Sequence, residues 1–216
     1  MYQALIVAAG AGTRSGLLHN KNLHPIKDKP MILYSLERFL EDEDCEGVVV
    51  VCSEDDYGLF NEILKDNAVL VLGGDSRQKS VMNGLAEINA RYVLIHDGAR
   101  PNLKLDVIKR IKDGLTKHDA VTPVVKAKDA LAVIYEDYLN ESINRENVMY
   151  IQTPQAFVTE KIKKAHQLAQ ANNHVYLDDA TLFQNEIKEK VSVVLGDSNN
   201  IKATTADDFV LLEALL

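Results

Sequence analysis

At 216 residues and 46% hydrophobic content the chain has room for one well-buried core, and Cys45 and Cys52 are too few for a disulfide framework and lack zinc-site spacing. A formal net charge of −8 argues against a general nucleic-acid binder, so an anionic small substrate needs cations gathered in one place; Arg14, Lys21, Arg77, Arg100, Arg145 and Lys202 are the candidates. No apolar run approaches membrane-spanning length and MYQALIVAAG enters a strand with no basic region or cleavage site, which predicts a cytoplasmic protein without a membrane partner.

Leu5, Ile6 and Val7 form a β-prone run, and Ala8, Ala9, Gly10, Ala11 and Gly12 after it leave main-chain N–H groups bare. Successive amides in such a turn make an anion-binding concavity, and Arg14 and Lys21 add full charges beside it, so phosphate is the natural guest. The loop is neither standard phosphate motif. Gly16 comes one residue late for a dinucleotide fingerprint, and no Gly-Lys-Ser/Thr follows for a P-loop. On this segment alone a strand-to-helix turn with two incidental surface cations stays open.

Residues 29–44 read as a helix through Met31, Ile32, Leu36, Phe39 and Leu40, with Pro30 in its first turn. The β-branched run 47–53 suits a strand buried on both faces, a helix follows at about 55–65, and 68–74 is a third strand. This alternation predicts an open, mostly parallel α/β sheet with helices on its faces. Ligands in such sheets sit beyond the carboxyl ends of strands, so Gly73-Gly74-Asp75 and the helix 76–88, carrying Arg77 and Ser80, should face the same crevice as the first loop. Strand 91–101 exits through His96, Asp97, Gly98 and Arg100; Asp97 there suits magnesium, a substrate hydroxyl, or a simple ion pair with Arg100. A helix at 103–118, a strand at 120–125, a helix at 158–172, a short strand at 191–196 and a closing helix complete the pattern, with Asp178-Asp179 read as a helix cap. From Lys126 the periodicity loosens, which suits a hairpin leaving the main sheet at about 126–148. No linker or repeat divides the chain, so 1–216 is expected to be one domain.

AAGAGTR with Lys21, GGDSRQKSV, HDGARP, NRENVMYIQTPQAF and Asn200-Ile201-Lys202-Ala203-Thr204 occur in the order found in sugar-phosphate nucleotidyltransferases, and the chain resembles the cytidylyltransferases of polyol phosphates. The resemblance implies a Rossmann-like sheet of the nucleotide-diphospho-sugar transferase type with a protruding β-arm that joins two subunits. It implies transfer of CMP from CTP, with magnesium, to 2-C-methyl-D-erythritol 4-phosphate; ribitol 5-phosphate is the alternative acceptor, and a silent nucleotide-binding module is a third reading. By the same resemblance Ala8 to Gly12, Gly74, Asp75, Arg77 and Ser80 hold the nucleotide, and Arg14, Lys21, Arg145 and Lys202 are catalytic. Asp97, Gly98, Arg100, Arg145 and Lys202 contact the acceptor, with Asp97 the candidate metal neighbour. Three departures from the family pattern stand out: Asn20-Lys21-Asn22 for Pro-Lys-Gln, Gly98 for an alanine, and Ala130 for a threonine.

Overall fold

The computed structural model describes residues 1–10 and 19–216. The first apolar run is β1 (Tyr2–Val7), and the chain re-enters through a short 3-10 turn at Lys21–Leu23. A small strand pair, β2 (Pro25–Ile26) with β3 (Lys29–Pro30), leads into α1 (Met31–Leu40). Pro30 stands at the N-cap of α1 rather than inside it, and Leu40 is exposed. Then follow β4 (Cys45–Cys52), α2 (Tyr57–Leu64), β5 (Val69–Leu72), α3 (Arg77–Leu85), β6 (Tyr92–Asp97), α4 (Leu105–Leu115) and β7 (Ala120–Lys126). The hairpin β8 (Leu131–Tyr135) and β9 (Tyr138–Ile143) forms its own two-stranded sheet. The remainder is β10 (Met149–Ile151), β11 (Gln155–Val158), α5 (Thr159–Ala171), α6 (Asp179–Ile187), β12 (Ser192–Leu195) and α7 (Ala206–Leu215).

Strands β5, β4, β1 and β6 lie side by side in parallel. Next to β6 comes β11, antiparallel to it and to β7. Val121 pairs with Ala156 on one edge of β7 and with Ser192 on the other, and Val124 pairs likewise with Ile151 and Leu195. So β10 continues β11 along one edge of β7, while β12 runs parallel along the opposite edge. The sheet is therefore mixed but mostly parallel. The hairpin lies in the stretch between the end of β7 at Lys126 and the start of β10 at Met149, where the chain returns to the main sheet.

Period-two alternation sends successive residues of the central strands to opposite layers. Ala4, Ile6, Val48 and Val50 pack with Ile32, Leu36 and Phe39 of α1, Phe60 of α2, and Val107, Ile108 and Ile111 of α4. Leu5, Val49 and Val51 face the other way, onto Val81 and Leu85 of α3, Ile162 and Ala165 of α5, and Phe183 of α6. Each fully buried aliphatic side chain of this kind contributes about 1.5–3 kcal/mol, so the two layers hold the strand ends in fixed relation. A third cluster seats α7, with Phe209 and Leu212 on Ile26 and Met31, and ties the C-terminal segment to the mouth of the sheet.

Candidate active site

The carboxyl ends of β1, β5 and β6 open onto one crevice, and backbone bonds beyond the strands lock their turns together. The Ala8 N–H donates to Val51 O at 2.8 Å, Gly73 to Cys52 O at 2.7 Å and Gly98 to Val7 O at 3.0 Å. A Cβ on Gly73 would come within 2.6 Å of Ala9 Cβ and 2.9 Å of Ser80 Oγ, so the first loop and the second glycine turn touch at a point only glycine allows. Ser80 is buried; its hydroxyl donates to Ser76 O at 2.8 Å and accepts from the Gly74 N–H at 3.1 Å. Ser76 caps α3 by accepting from Lys79 N at 3.1 Å, while Asp75 and Gly10 are exposed.

Asp97 is the hub of the charges in the crevice. Its Oδ1 accepts from Arg77 Nε at 3.2 Å and its Oδ2 from Lys202 Nζ at 2.7 Å, with Arg100 Nε at 3.8 Å. Burial would raise the Asp97 pKa, but Arg77 and Lys202 outweigh it and hold the carboxyl well below the usual range. Arg77 reaches back to Asp179 Oδ2 at 2.8 Å; burial works against its charge, yet Asp179 and Asp97 keep its pKa above the ordinary value. Burial pulls the Arg100 pKa down, with Asp97 opposing. Lys21 Nζ donates to Ala203 O at 2.8 Å, next in sequence to Lys202, and Ala203 N donates to Ala99 O at 2.8 Å. In a chain of net charge −8 the cations of four separate segments thus meet at one strand end.

Neutral, hydrogen-bonded groups support the charged ones. Asn200 is fully buried: its Nδ2 donates to Thr153 O at 2.8 Å and its carbonyl accepts from Arg100 Nη1 at 2.7 Å. That bracket fixes the segment carrying Lys202. The Thr153 hydroxyl accepts from Asp97 N–H at 3.1 Å and lies 3.0 Å from His96 Nδ1; His96 Nε2 lies 3.0 Å from Arg100 O. A carbonyl can only accept, so Nε2 carries the hydrogen and Nδ1 accepts from Thr153. Burial pushes His96 down from 6.5 to about 4, which keeps it neutral.

The structure thus brings together Lys21, Arg77, Asp97, Arg100 and Lys202, and sets the Gly74 and Ser80 turn against Ala9. Arg145 is exposed at the root of the arm, where Nη1 donates to Lys128 O at 2.7 Å, and makes no contact with the cluster among the described residues. Ala11, Gly12 and Arg14 lie outside the described residues. A groove of about 740 Å³ beside α4 and β12, lined by Arg110, Lys128, Tyr150 and Leu195, is separate from this cluster. Sequence reasoning missed Asp179: Asp178 alone caps α6, accepting from Thr181 N at 2.8 Å, whereas Asp179 is buried between Arg77 and His166. No local pattern separates two adjacent aspartates with such different surroundings.

Among the described residues no group of three His, Cys, Asp or Glu side chains could hold a metal. Both Asp97 oxygens already accept from cations, so a directly ligated ion does not fit this carboxylate as it stands.

Comparison with known proteins identifies the family. Residues 2–216 match the model of a family described as 2-C-methyl-D-erythritol 4-phosphate cytidylyltransferase. Proteins of that name from Geobacillus thermodenitrificans and Bacillus pumilus are 33% and 35% identical, over 100% of this chain and 96% of each relative. The crystal structure of 2-C-methyl-D-erythritol 4-phosphate cytidylyltransferase from Thermus thermophilus superposes with a TM-score of 0.86 at 29% identity, covering 99% of this chain and 98% of that one. That of 4-diphosphocytidyl-2C-methyl-D-erythritol synthase from Anaerococcus prevotii gives 0.86 at 30% identity, covering 98% and 96%. With a family match along nearly its entire length and solved relatives of the same architecture, the chain belongs to the 2-C-methyl-D-erythritol 4-phosphate cytidylyltransferase family.

Proposed function

We propose that the chain transfers CMP from CTP to the phosphate of 2-C-methyl-D-erythritol 4-phosphate. An acceptor phosphate oxygen attacks the α-phosphorus of CTP, the bond from that phosphorus to the β-phosphate bridging oxygen breaks, and pyrophosphate leaves. Family membership supports the reaction, and the meeting of Lys21 and Lys202 on one C-terminal segment beside Asp97 carries the assignment of the site. In such transfers the protein chiefly aligns the groups and neutralises charge growing on phosphoryl oxygens. Lys21 and Arg14 stabilise that charge and the departing pyrophosphate. Lys202 and Arg145 place the α-phosphate and the acceptor, and Asp97 presents Arg77, Arg100 and Lys202 in fixed directions. The loop after β1 and the turn at Gly74 and Asp75 receive the nucleotide. A magnesium ion carried in with CTP would supply charge screening of the triphosphate, and because it retains several waters it would not need Asp97 as a direct ligand.

The whole chain acts as one catalytic domain with a dimerising arm at about 126–148. An isolated two-stranded hairpin is marginal in water, and Ile134, Tyr138 and Leu139 are 60%, 78% and 67% exposed on this one. A second copy of the same arm covers them.

The test is pyrophosphate release from CTP and magnesium with 2-C-methyl-D-erythritol 4-phosphate and ribitol 5-phosphate offered separately. Release with the first is expected, and Lys21→Ala should lower kcat by about 10²-fold or more with unfolding unchanged. Release only with ribitol 5-phosphate overturns the acceptor; CTP binding without release overturns the enzyme.

A further inference from the structure

Lys21 sits between two buried asparagines that grip the same atom. Asn20 Nδ2 donates to Ala8 O at 2.9 Å and to Asp56 Oδ2 at 2.9 Å; Asn22 Nδ2 donates to Ala8 O at 3.2 Å and to Asn20 Oδ1 at 2.9 Å. The Asn22 N–H also donates to Asn20 Oδ1, at 3.0 Å, closing the turn that presents Lys21. Flipping either amide would set two carbonyl oxygens against each other at Ala8, so the hydrogen-bond pattern fixes both orientations. Asn22 Oδ1 then points away from Ala8. It is buried with no hydrogen-bond partner among the described residues.

A Cβ on Gly98 would meet Asn22 Oδ1 at 2.9 Å, with Ile32 Cδ1 at 3.0 Å and Val7 O at 3.3 Å. A side chain at 98 would therefore drive Asn22 off Ala8. These contacts link the exit of β1 at Ala8, the turn after β4 at Asp56 and the exit of β6 at Gly98 to the one residue between the asparagines. Lys21 in turn leans on Ala203, beside Lys202. An amide that leaves its buried oxygen unsatisfied in order to donate to both Ala8 O and Asn20 Oδ1 is costly unless that geometry is needed.

We propose that Asn20 and Asn22 are positioning residues for Lys21, and that Gly98 is the seat that admits Asn22. The departures at positions 20, 22 and 98 are then one device: the amides and the bare glycine act together to aim the lysine. This rests on the role proposed for Lys21.

The test is a set of variants in the pyrophosphate-release assay with thermal unfolding followed in parallel. Because neither asparagine needs to touch the nucleotide, Asn22→Ala should lower kcat about 10-fold or more while the KM for CTP stays within about twofold. Gly98→Ala should lower kcat similarly, and the Asn22→Ala/Gly98→Ala pair should lose less than the product of the two single losses, since the tightest contact disappears with the amide while those with Ile32 Cδ1 and Val7 O remain. In a Lys21→Ala background, Asn22→Ala should add nothing. Should Asn22→Ala fail to fold, Asn20→Ser, which keeps an oxygen for the Asn22 N–H but loses the bond to Ala8 O, carries the same comparison. An equal loss in both lysine backgrounds, multiplicative losses with Gly98→Ala, or undiminished kcat overturns the inference. Parent-level turnover in Lys21→Ala alone would instead refute the role of the lysine.

Discussion

Asp97 and His96 are consecutive residues whose protonation states are set by opposite means. Cations hold Asp97 ionised, and burial holds His96 neutral. Both have folded-state values below their unfolded ones, so both favour the native state at neutral pH and lose that contribution on acidification. For His96 the window runs from 6.5 down to about 4: the unfolded chain takes up a proton that the native imidazole refuses. The loss across it should reach about 3 kcal/mol at most. For Asp97 the loss begins only below the unfolded value of 3.8. Urea titrations at pH 7, 5.5 and 4.5 should show stability falling with pH, with a shallower fall in His96→Asn; equal slopes would show that His96 is not the group responsible. At this scale the sequence made Asp97, Arg100 and Lys202 legible, since each sits in a distinctive string of residue types. Asp179, His166 and Thr153 were not, because their roles come only from what surrounds them after folding.

Elements were legible where the pattern was long. The β-branched run of β4 and the amphipathic repeat of α4 are strong periodic signals, and both lie where their periods place them. The strands β10 and β11 were not legible: they are short, Pro154 interrupts the stretch between them, and their partners are distant in sequence. The start of α6 shows the same limit. Asp178 and Asp179 look alike in sequence, but Asp178→Ala should cost about 1 kcal/mol, the worth of a lost cap. Asp179→Ala takes a buried partner from both Arg77 and His166 and should cost about 3 kcal/mol, as for a broken buried ion pair. Urea unfolding of the two variants checks the ordering, and equal costs would mean that the Arg77 contact is worth no more than a cap. Arg77 also touches Asp97, so Asp179→Ala should in addition weaken turnover, whereas Asp178→Ala should leave it near the parent level.

For the molecule as a whole, a net charge of −8 gave no hint of an anion site, yet folding collects Lys21, Arg77, Arg100 and Lys202 from across its length. The open sheet was legible from alternation alone, and the arm from the loss of period after Lys126. The pairing of β10 with β7 on the far side of that stretch was not, because return to the main sheet is a matter of long-range pairing. Replacing Ile134 and Leu139 together by lysine should give a monomer in light scattering at micromolar concentration, with the melting temperature of the core preserved. A dimer that survives both changes would place the subunit contact elsewhere.

One consequence follows from the antiparallel wedge β11, which separates β6 from β7 although β7 is the next main-sheet strand to be synthesised. As the chain leaves the ribosome, β7 has no neighbour to join until the whole hairpin and β10 have emerged behind it, and no link to β6 until β11 follows. Thr153, which receives the Asp97 amide, arrives in that same late stretch, and Lys202 later still. Synthesis therefore delivers the turns after β1 and β5 early and the last partners of Asp97 at the end, so that a prematurely terminated chain carries those turns without Thr153 or Lys202.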